Sequence, residues 1–68
     1  MPKLENTKRN KPVTVICSGR SLRYKKRQDA FDLFWRCMKE SEGAENYRYQ
    51  TILVKLEESD KNIITDED

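Results

Sequence analysis

The sequence predicts a small single α+β domain: a β-hairpin, two antiparallel helices and a short C-terminal third strand, in ββααβ order. Three observations lead there. Residues 13–25 alternate about a glycine, residues 28–40 and 44–58 repeat their apolar positions at the helical period, and Ile63-Ile64 follows a turn cluster. At 68 residues the chain makes one domain, and a chain of that length buries only about 60% of its unfolded surface. Apolar residues make up 35% and charged residues 38%, close to the polar limit for a globular chain. A bound partner or a homodimer is therefore expected to supplement its stability.

Residues 1–12 lack periodicity and carry Lys3, Lys8, Arg9 and Lys11, which reads as a flexible basic arm ahead of a domain at 13–66. Pro12 favours an extended Lys11 and leads into the first strand. In Val13-Thr-Val-Ile-Cys-Ser18, Val13, Val15 and Cys17 point one way, and Thr14, Ile16 and Ser18 the other. Gly19 can take the positive φ of a tight hairpin turn, after which Leu22 and Tyr24 share one face, and Arg23 and Lys25 the other.

The stretch 28–40 is the segment around which a core can form. Ala30, Phe31, Phe34, Trp35 and Met38 fall within about 140° on a helical wheel, and Leu33 and Cys37 widen that arc to roughly 200°. An arc so wide asks for cover on two sides, from the hairpin and from the second helix, with Trp35 at its far edge. Gly43 ends this helix, and Ser41 or a residue after it caps the next. In the helix at 44–58, Tyr49, Ile52, Leu53 and Leu56 make one core stripe. Tyr47 and Val54 form a smaller patch, either a contact with the hairpin or an interface. Ser59-Asp-Lys-Asn62 is a turn, 62–65 the third strand, and 67–68 an acidic terminus.

Charge divides the chain. Residues 1–27 hold nine Lys/Arg and one acid, a net +8, while residues 28–68 hold five Lys/Arg and eleven acids, a net −6, consistent with +2 overall. The basic half can meet an anionic partner and the acidic half a basic one, or the two can complement each other within the fold. Lys25-Lys-Arg27 stands at a helix N-terminus, where cations oppose the dipole. It is either an anion site or a solvated loop.

Catalytic chemistry is hard to assemble. There is no histidine, no glycine-rich phosphate loop, and Cys17 and Cys37 are too few and too far apart for a zinc site. They read as free, mostly buried thiols of a reducing cytoplasm. No enzyme activity, catalytic residue, metal or cofactor is expected. No apolar run approaches the ~20 residues of a membrane span. Nucleic-acid binding is a reading the residues themselves support, through Arg20, Arg23, Lys25, Lys26 and Arg27 with Tyr24 as a stacking ring. A sponge for a small anionic nucleotide at Arg20, Arg23, Lys26 or Arg27 is a further one. The acids of the second half oppose a wrapped duplex.

The order Val15-Ile-Cys-Ser-Gly19, a basic segment opening an aromatic helix, Ser41-Glu-Gly-Ala-Glu45, Arg48-Tyr49 with Ile52 and Leu56, and Thr65-Asp66 resembles a group of short proteins encoded by phages and mobile elements of Gram-positive bacteria. The resemblance covers residues 13–66 and is sharpest at 41–56. The chain departs from the pattern in its longer basic N-terminus and in Lys26, where a capping Asp, Asn, Ser or Thr is expected. The resemblance implies a cytoplasmic counter-defence protein of the anti-CRISPR class, acting stoichiometrically on a host nuclease complex or on a signal molecule. The residues placed at such a protein interface are Trp35, Glu42, Glu45, Tyr47 and Arg48. In the signature, Glu42 and Glu45 suit a helix N-terminus, and Glu45 can pair with Arg48 at i,i+3.

Overall fold

The computed structural model describes Leu4 and residues 6–66. The acidic terminus at 67–68 and the arm positions 1–3 and 5 lie outside the described residues. The elements run α1 (Asn6–Arg9), β1 (Val13–Cys17), β2 (Arg20–Tyr24), α2 (Arg27–Glu40), α3 (Ala44–Glu58) and β3 (Ile63–Thr65). The expected ββααβ order is present, preceded by one helical turn.

β1 lies at the centre of a mixed sheet of order β2-β1-β3. It pairs antiparallel with β2, Val13 opposite Tyr24 and Val15 opposite Leu22, and parallel with β3, Val15 opposite Ile64. Ser18 and Gly19 form the hairpin turn with φ of 54° and 80°. Two positive φ values in a two-residue loop match the twist of the flanking strands. The strand alternation sets the core: Val13, Val15 and Ile64 are buried beneath the helices. Thr14, Ile16, Ser21, Arg23, Ile63 and Thr65 occupy the other face, where none is buried.

The two helices close the inner face. Ala30, Phe31 and Phe34 of α2 and Ile52, Leu53 and Leu56 of α3 join Leu4 and the strand residues in one apolar cluster. Phe34 is its aromatic centre, with Tyr24 edge-on at 6.2 Å and Tyr49 tilted at 5.9 Å. The wide arc of α2 is covered less fully than its composition predicts. Leu33, one of the two residues that widen the arc, is 42% exposed, because the α3 stripe is narrower than the arc. Cys37 is half-buried, and both cysteines are free.

The segment expected to be a flexible arm is packed where the structure describes it. Leu4 is buried, and its N–H donates to Gln28 Oε1 at 2.6 Å. The Lys11 carbonyl accepts the Arg27 N–H at 2.7 Å. This bond satisfies the first N–H of α2, one that a capping side chain at position 26 would not reach. Lys26 is the N-cap of α2 in extended conformation, and its side chain makes no capping bond. The first orphan donor of the helix is thus satisfied by main chain from the N-terminal segment.

At the turn between the helices, the cap of α3 falls on the later of the residues expected there, Gly43, and not on Ser41. Ser41 does not cap α3; its N–H and Oγ both donate back to the Met38 carbonyl at 3.3 Å and close α2. Gly43 is the N-cap of α3, with φ of 69° and ψ of −136°, a backbone region open essentially to glycine. Asn46, which the sequence pattern does not single out, holds the corner through Nδ2 bonds to the Met38 and Ser41 carbonyls at 2.7 and 3.2 Å.

Candidate functional site

The cations of the basic half separate into two groups. Arg27 is buried, 3% exposed, at the C-terminus of α3. Its Nε donates to the Leu56 carbonyl at 2.7 Å, Nη1 to Lys61 at 2.9 Å, and Nη2 to Lys55 at 3.3 Å and to Ser59. Lys8 joins it from the N-terminal segment. Its Nζ donates to the Glu57 carbonyl at 2.8 Å and pairs with Asp60 at 3.4 Å. Helix C-termini leave carbonyls without partners and carry the negative end of the dipole, so both cations sit where charge and hydrogen bonding favour them. Burial pushes the Arg27 guanidinium below its ordinary value, with Asp60 opposing the shift. Arg27 is therefore removed from the expected anion or nucleic-acid surface. It serves the fold.

Arg20, Arg23, Lys25 and Lys26 remain exposed. Arg23 and Lys25 meet at one end of the sheet, where β1 and β3 begin and β2 ends. There, together with Pro12, Val13, Thr14, Tyr24 and Asn62, they line an open groove of about 540 Å³. Arg20 is not at this groove. It is three residues from Arg23 along β2, hence on the opposite face and roughly 10 Å away by strand rise. Tyr24, expected to stack on a base, is committed on one side to Phe34, and burial raises its hydroxyl above the ordinary value of 10.0.

The five residues expected at a protein interface also divide. Tyr47 is 69% exposed; Glu42, in the turn before α3, and Glu45, in its first turn, are exposed as well, and Glu45, two residues from Tyr47, lies on a different side of the helix. Tyr47 and Val54 make no buried contact with the hairpin. With Gln50, Thr51 and Lys55 they line a shallow depression of about 290 Å³ on α3. Trp35 is half-buried on α2, packed against the core with its ring stacked on Phe31 at 6.3 Å and 13°.

Arg48 belongs to a latch rather than to that surface. Its Nε pairs with Asp66 Oδ2 at 3.2 Å, not with Glu45, and its Nη1 donates to Ser18 Oγ at 2.7 Å. The same Asp66 oxygen accepts the Ser18 N–H at 3.1 Å, and the Asp66 N–H donates to the Ile16 carbonyl at 3.1 Å. Ser18, Arg48 and Asp66 thus tie the hairpin turn to α3 and to the end of β3. These three residues come from three separate pieces of the sequence pattern quoted above. Their spacing gave no sign that they meet; only the parallel placement of β3 brings them together.

Among the described residues no group of three or more His, Cys, Asp or Glu is placed to hold a metal ion. No described helix is long and apolar enough to cross a membrane. The chain is a small α+β domain, a mixed three-stranded sheet covered on one face by a helical hairpin. No protein-family model matches it, nor does any curated protein or solved structure.

Proposed function

We propose that this chain is a non-enzymatic counter-defence protein that binds stoichiometrically to a bacterial defence nuclease complex. The observation that carries the binding surface is on α3. Tyr47 and Val54 are 69% and 50% exposed, one either side of Gln50 and Thr51. Large exposed side chains flanking a depression suit the anchor-and-pocket construction of protein interfaces, where tyrosine is enriched. Glu42 and Glu45 add acidic groups at the same end, suited to a basic rim on the target. The class of target rests on the resemblance carried by residues 13–66. A stoichiometric mode of action accords with a sequence that holds no histidine, the commonest general acid or base.

The test is a plasmid-interference assay with a reconstituted CRISPR effector complex, read together with co-elution of the two proteins. Inhibition by the wild-type chain at near-equimolar ratio is expected. Tyr47→Asp with Val54→Asp should abolish both readouts while leaving the circular dichroism spectrum unchanged, since both positions are exposed. Inhibition that persists in the double variant would exclude this face. Failure of the wild-type chain to bind or inhibit effectors of the main types would exclude the function.

A further inference from the structure

We infer that the groove at the open end of the sheet is a binding site for single-stranded nucleic acid, holding phosphate on Arg23 and Lys25 and a base against Pro12 and Tyr24. This is independent of the surface on α3. The groove, about 540 Å³, falls within the size range of small-ligand clefts and admits a nucleotide-sized group.

Its charge is available. Of the cations in residues 1–27, Arg27 and Lys8 are bonded to the end of α3, whereas Arg23 and Lys25 form no ion pair with any described residue. Lys11 and Lys26, both exposed, adjoin the lining residues in the chain and extend the positive field. Chemistry suited to a base lies beside that charge. Pro12 and the part of Tyr24 not turned to Phe34 offer apolar surface, and Thr14 and Asn62 offer polar groups for a base edge.

A cationic groove with an apolar wall is the pattern by which proteins track a single strand. A duplex is disfavoured. Only two lining cations meet the backbone, and the acidic residues of the second half repel the further phosphates a wrapped duplex would bring. Acidic side chains by themselves bring no planar ring for the wall beside Pro12.

Fluorescence anisotropy with a labelled twelve-nucleotide oligo-dT, at graded salt, tests this on the full chain. Binding should strengthen as salt falls. Arg23→Gln with Lys25→Gln should weaken it by about tenfold or more at low salt, and should flatten the log–log salt slope by about 1.4, since each single-strand phosphate contact contributes about 0.7. Arg36→Gln, an exposed cation on α2, should change neither. Thermal melts of the variants should match wild type, because neither side chain is buried. Three results would overturn the inference: no binding at the lowest salt, equal binding by the Arg23/Lys25 variant, or displacement of the strand more readily by an equal-length duplex or an oligo-glutamate peptide than by unlabelled oligo-dT.

Discussion

Arg27 is part of a run of three cations in the sequence, yet its side chain is buried and bonded to four main-chain carbonyls. Its planar fork is what allows one residue to serve so many acceptors. Arg27→Met should lower the unfolding free energy by roughly 3 kcal/mol or more, because the carbonyls of Leu56 and its neighbours lose their donors. Arg27→Lys should recover only part of that, since an ammonium cannot span the same acceptors. Urea unfolding of the two variants checks this, and a Met variant as stable as wild type would show that water serves the carbonyls equally well. Lys25 and Lys26, its neighbours in the run, are exposed, and nothing in the local sequence distinguishes them from Arg27.

At the scale of elements, the N-terminal segment is the clearest case of tertiary context overriding composition. Lys, Asn and Thr in residues 6–11 gave no periodic signal, but Leu4 supplies one apolar anchor and the Lys11 carbonyl one acceptor where α2 lacks a cap. Removing residues 1–10, which keeps Lys11 but takes away Leu4 and Lys8, should destabilise the domain by about 2–4 kcal/mol, combining the burial of one leucine with the loss of the Leu4–Gln28 and Lys8–Glu57 hydrogen bonds. A detached arm would leave stability unchanged, so a urea midpoint equal to that of the full chain would refute the packing. The helices themselves were legible. Their apolar periods placed α3 at its observed bounds and α2 within a residue, because an amphipathic stripe is a local property. The capping was legible only as a choice between Ser41 and the residues after it: Ser41 turns back to α2, and Gly43 takes the cap by backbone conformation.

For the molecule as a whole, stability is expected to be small, roughly 3–10 kcal/mol for a chain of 68 residues, so coupled core groups matter. Tyr24 and Tyr49 both flank Phe34, and desolvation raises both hydroxyls above the ordinary 10.0. A raised folded-state value means that the neutral phenol is favoured in the fold. That contribution is present in full below about pH 10 and is lost as pH rises through the raised values. Urea midpoints should fall on alkaline titration, and Tyr24→Phe should reduce the fall; an identical fall would remove Tyr24 from the linkage. The charge halves likewise become intelligible only in three dimensions. Lys8 and Arg27 of the basic half are bound to the C-terminal end of α3 and to Asp60, while Lys11, Arg20, Arg23, Lys25 and Lys26 stay exposed, two of them lining the groove. By itself the sequence determined the hairpin, the two helices and the third strand, because period, turn residues and apolar stripes act within a few residues of one another. Only the tertiary structure decided which cations were buried, that Ser18, Arg48 and Asp66 form one latch, and that Arg23 and Lys25 share a groove from which Arg20 is excluded. Those outcomes depend on pairing β3 parallel to β1 and on joining Leu4 and Lys11 to the start of α2, contacts between distant parts of the chain that no local pattern encodes.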